Sequence, residues 1–142
     1  MQETCVTELR FISLTVRKSY ITFVPAVLLT AGIAILSLTE STHMPAVSLN
    51  DKLVHAFMYL LLAVSWVLPT IKQGSQSQNF QTIKPYVVTC VATTAYGSLL
   101  ELLQHYCTHT RSGEWFDLLA DFLGALIGVG LVALLQIINH KS

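Results

Sequence analysis

Four apolar windows recur along this 142-residue chain, each close to the roughly 20 residues that carry a helix across about 30 Å of hydrocarbon. They run from Tyr20 to Leu38, Leu53 to Ile71, Tyr86 to Gln104 and Leu118 to Ile138. Inside a bilayer, backbone N–H and C=O groups have no water to bond, so an isolated apolar segment crosses as a helix that satisfies its own backbone. Four such segments predict an all-α polytopic membrane protein built as a four-transmembrane-helix bundle. Composition agrees, because 53% of the residues are hydrophobic and only 11% charged, well below the roughly one quarter charged in soluble domains.

The joining segments are short and hold Pro45, Gly74 and Gly113, with the polar run KQGSQSQNFQTIK between the second and third windows. No second domain fits, so residues 1–142 are expected to form one membrane domain. The first window follows basic residues as a secretory signal would, but it exceeds the about 7–15 residues of a signal core. It is expected to stay as a span.

Basic residues set the expected orientation. Arg10, Arg17, Lys18, Lys72, Lys84 and Lys141 are six of the eight and fall on one side, against Lys52 and Arg111 on the other. The positive-inside rule then places both termini in the cytoplasm. Cys5, Cys90 and Cys107 fall at different depths or on different sides, which argues against an intramolecular disulfide. The formal net charge of zero and the scattered basic residues argue against nucleic-acid binding.

Polar residues recur inside the windows at helical spacing. Asp51, His55 and Tyr59 follow i, i+4, i+8; Gly97, Glu101 and Gln104 follow i, i+4, i+7; Asp117, Asp121, Gly124 and Gly128 follow i, i+4, i+7, i+11. Each of the last three helices thus carries one polar or small stripe. A stripe facing lipid would leave charges unpaired in hydrocarbon, so the stripes are expected to face one another. The expected cluster draws acceptors from Asp51, Glu101, Gln104, Asp117 and Asp121 and donors from Lys52, His55 and Arg111. Arg111 is the expected charge partner, because its planar guanidinium can bond a carboxylate of Glu101, Asp117 or Glu114 at two points. Gly124 and Gly128 form a G-x-x-x-G step that lets backbones approach closely, and packing within the bundle is favoured over a homodimer contact.

DKLVHAFMYLLLA from Asp51, YGSLLELLQ from Tyr96, Arg111, and DLLADFLGALIG from Asp117 together resemble the VanZ-like family of small bacterial membrane proteins. The resemblance marks Asp51, Lys52, His55, Tyr59, Tyr96, Gly97, Glu101, Gln104, Arg111, Asp117, Gly124 and Gly128 as family positions. The chain departs at Asp121, where the family usually carries Asn. What the resemblance implies is a cell-envelope role in the bacterial cytoplasmic membrane, linked to resistance to the glycopeptide teicoplanin, with no molecular activity attached. The implied partners are the lipid bilayer and a lipid-linked or glycopeptide ligand; oligomerisation stays open.

Enzymatic activity also stays open. An intramembrane enzyme acting on a lipid-linked envelope substrate would use Glu101 or Asp117 as acid or base and His55 as proton carrier. Ser98 and Ser112 lack a clear base, and Cys90 lies in apolar surroundings. A metal site would draw on His55, Glu101, Asp117 or Asp121, with His105 and His109, but no ligand signature is present, so neither a metal nor another cofactor is expected. A small proton-coupled transporter is a third reading, since membrane carboxylates relay protons.

Overall fold

The computed structural model describes residues 21–38, 49–74, 83–107 and 115–141. Among these described residues it contains four helices: α1 (Val24–Leu38), α2 (Leu49–Gly74), α3 (Lys84–Cys107) and α4 (Trp115–Lys141). No strand occurs among the described residues. All four are long and apolar enough to cross a membrane, over Ile21–Leu38, Asp51–Lys72, Lys84–Tyr106 and Trp115–Asn139.

The last three apolar windows lie wholly inside α2, α3 and α4, each of which extends beyond its window at both ends. Hydropathy marks only the stretch that matches hydrocarbon, whereas the backbone goes on bonding to itself into polar sequence. The first window begins at Tyr20, outside the described residues, and regular helix there starts at Val24. A turn precedes it, with the Val27 amide donating to the Phe23 carbonyl at 3.0 Å. Pro25 falls in the first turn of α1 and Pro85 in that of α3, positions whose N–H groups have no partner within the helix. Pro69 is different, since it lies inside α2 and removes the amide that would bond the Ser65 carbonyl.

α2 and α4 make the most extensive helix pair in the bundle. Lys52 meets Asp117, His55 meets Asp121, Gly124 lies on Ala56 and Gly128 on Leu60. Numbering rises in the same sense along both, so α2 and α4 run parallel, and α3 returns antiparallel to them. Small residues allow the contact: Ala63, Ala125 and Val129 form one buried group, with Val67, Ile71 and Val132 beyond it. Outward-facing side chains such as Leu28, Ile35, Val88, Val91 and Leu135 are mostly exposed, as a lipid-facing surface requires.

Hydrogen bonds as well as packing hold α1. Trp66 Nε1 donates to Thr30 Oγ1 at 3.1 Å, the Tyr96 hydroxyl donates to the Thr30 carbonyl at 2.6 Å, and Gln104 Nε2 donates to the Ser37 carbonyl at 2.7 Å. Ile33 packs with Tyr59, Leu62 and Leu100 between them. Apolar packing alone distinguishes poorly between a helix neighbour and lipid, so these polar bonds carry much of the docking. Tyr96→Phe keeps the ring and removes one bond, and is expected to cost about 1 kcal/mol. Amide hydrogen exchange in detergent should show protection falling mainly within α1.

Candidate functional site

The polar stripes converge at the end of the bundle where α2 and α4 begin and α3 finishes. Asp51 and Asp117 each occupy a first helical turn, where a carboxylate is favoured by the unbonded N–H groups and the helix dipole. Two like charges on neighbouring parallel helices would repel, and Lys52 supplies the opposite charge. Its Nζ lies 3.0 Å from Asp117 Oδ1, with the two side chains 23% and 12% exposed. The ammonium also lies 5.4 Å from the centroid of the Phe116 ring, within range of a cation–π attraction.

This pair is partly screened, so its coupling is set by geometry more than by burial. A double-mutant cycle on Lys52→Ala and Asp117→Ala is expected to give about 1 kcal/mol of interaction energy. Thermal unfolding in detergent at low and high salt measures it, and the coupling should shrink with salt.

One turn deeper, His55 Nδ1 lies 3.0 Å from Asp121 Oδ1. Asp121 is 1% exposed, which makes it a buried acid between α2, α3 and α4. Its Oδ2 is buried and has no hydrogen-bond partner among the described residues. It points at Gly97, where a Cβ would lie 2.6 Å from that oxygen and 3.1 Å from the Tyr59 ring. Gly97 therefore makes room for the carboxylate and the ring together. Glu101, one turn along α3 from Gly97, is half-buried.

Among the described residues, two overlapping groups of potential metal ligands share His55. One is Asp51, His55 and Asp117; the other is His55, Glu101 and Asp121, and within each group the ligand atoms lie within 4.8 Å of one another. His105 belongs to neither group; it is exposed, with its ring edge-on to Tyr106 at 5.4 Å.

The stripes thus bring together Asp51, Lys52, His55, Tyr59, Gly97, Glu101, Asp117 and Asp121. Tyr96 and Gln104 share α3 with Glu101, but their bonds run to the α1 backbone. Gly124 and Gly128 face α2 of the same chain. Arg111, Glu114, Ser112 and His109 lie outside the described residues; among those described, the cation on Asp117 is Lys52. Ser98 donates its hydroxyl to the Thr94 carbonyl at 3.0 Å and is exposed.

A groove with a cavity volume of about 310 Å³ runs beyond the cluster, between α1, α2 and α3, lined by Leu62, Trp66, Thr70, Val88, Thr93 and Tyr96 among others. Sequence reasoning missed it, as it missed Thr30 and Trp66 at its wall. An indole and a hydroxyl within apolar windows were the available signal, since each needs a partner in hydrocarbon.

Compared with models of known protein families, the chain matches VanZ/LLP1 over residues 7–136. No curated protein and no solved structure matches it.

Proposed function

The chain belongs to the VanZ/LLP1 family, and from that membership we propose that it is a multi-pass protein of the bacterial cytoplasmic membrane that lowers susceptibility to glycopeptide antibiotics such as teicoplanin. The observation that carries the reading is the family match over nearly the whole chain. The placement of charge supports an orientation: Lys72 and Lys84 lie at the end of the helix bundle opposite the cluster, so the positive-inside rule turns the cluster outward. There it meets the leaflet in which surface ligands and glycopeptides encounter one another. Residues 1–142 act in this reading as one domain.

Deleting and overexpressing the gene, with teicoplanin susceptibility measured in each strain, tests the proposal. Deletion should raise susceptibility and overexpression lower it; no change in either direction would refute the reading.

A second reading, an intramembrane enzyme on a lipid-linked substrate, draws support from the ionisable groups gathered around His55. His55, Glu101 and Asp117 would be its candidates for proton transfer. Turnover of a lipid-linked envelope precursor by the purified protein, abolished by His55→Ala, would favour it over the first.

A further inference from the structure

We propose that His55, Glu101 and Asp121 form a binding site for one divalent transition-metal cation. Each residue comes from a different helix, α2, α3 and α4, and offers a ligand atom within 4.8 Å of the other two. Around a tetrahedral cation with ligands at about 2.1 Å, neighbouring ligand atoms lie roughly 3.4 Å apart.

Proximity alone would make this an ordinary polar cluster, and Asp121 Oδ2 takes it further. That oxygen is buried, on a side chain 1% exposed, and meets no hydrogen-bond donor among the described residues. A carboxylate oxygen so placed loses its hydration and gains nothing in return. Asp121 Oδ1 already receives His55, and the Lys52 ammonium lies on Asp117, at the end of the cluster. A cation held between His55, Glu101 and Asp121 would give Oδ2 the partner it lacks.

The donor set narrows the choice of ion. One nitrogen and two carboxylate ligands suit Zn²⁺ or Mn²⁺ better than a thiophilic ion such as Cu(I). The other group, Asp51, His55 and Asp117, is the weaker candidate because Lys52 occupies Asp117. The site is independent of the envelope reading and would stand if that reading failed.

The test uses the full chain, purified in detergent, stripped with EDTA and titrated separately with ZnCl₂ and MnCl₂. Elemental analysis should find about one ion of Zn²⁺ or Mn²⁺ per chain, and the Tm should rise with that metal and fall again with EDTA. Asp121→Asn and Glu101→Gln, both nearly isosteric, should each weaken binding by at least about tenfold. His105→Ala, at an exposed histidine, should leave it unchanged. Wild-type protein that takes up neither metal and shows no Tm response overturns the proposal. So does binding that survives both carboxylate variants, which would place the ion on other groups.

Discussion

Gly124→Ala is expected to destabilise the bundle by about 3 kcal/mol or more, because the added methyl would collide with the backbone of α2. A Cβ at Gly124 would overlap the Ala56 carbonyl oxygen and lie 2.8 Å from its carbon and 2.9 Å from Ala56 Cα. No rotamer relieves a backbone clash, so α2 and α4 must separate. Separation would also stretch the Lys52–Asp117 and His55–Asp121 contacts, which bridge the same two helices. Gly128→Ala should act similarly and less severely, since its nearest contact is the Leu60 carbonyl oxygen at 2.6 Å. Gly130→Ala is the control: nothing lies within 4 Å of its Cβ position, and alanine is the better helix former by roughly 1 kcal/mol. Unfolding in mixed micelles should show Gly124→Ala far below wild type and Gly130→Ala at or above it. Equal stability for the two variants would mean that the helices are not this close.

His55→Ala is the second large effect. It removes the group at 3.0 Å from a carboxylate that is 1% exposed and leaves both Asp121 oxygens without the imidazole. Breaking a buried pair from one side costs about 3–5 kcal/mol, because the remaining charge keeps its desolvation penalty. Asp121→Asn should cost much less: the amide keeps the shape, its oxygen still accepts from His55, and no charge is left buried. The double variant His55→Ala with Asp121→Asn is expected to recover a large part of the His55→Ala loss. Thermal unfolding in detergent, read alongside protein level in the membrane, checks all three. A His55→Ala variant as stable as wild type would show that the imidazole does not support the acid.

These effects trace back to residues whose legibility in the sequence differed. The windows around Leu53 to Ile71 and Leu118 to Ile138 identified spans because hydrocarbon leaves a backbone few alternatives to a helix. The spacing of His55 and Asp121 within those spans was equally readable, since a period near 3.6 puts i and i+4 on one face. Gly124 and Gly128 could be recognised as a contact surface. Which helix they touched could not, because a small-residue stripe fits any neighbour that comes close.

Gln104 and Tyr96 show where periodicity stops being informative. Both belong to the polar or family positions of the third span, yet their side chains bond α1 carbonyls at Ser37 and Thr30. Helical spacing assigns a face within one helix, and a long side chain at the edge of that face can reach either of two neighbours. Thr30 and Trp66, which complete the α1 contact at 3.1 Å, lay within apolar windows and outside the polar stripes.

Four membrane-spanning helices, and one polar stripe on each of the last three, follow from sequence alone, because the bilayer imposes local constraints that every segment must satisfy by itself. The tertiary structure decided the pairings. The parallel register of α2 on α4 puts Lys52 on Asp117 and His55 on Asp121, and the absent side chain of Gly97 leaves space for the Asp121 carboxylate. Those contacts depend on how far one helix slides and turns against another, which the packing of all the helices together determines.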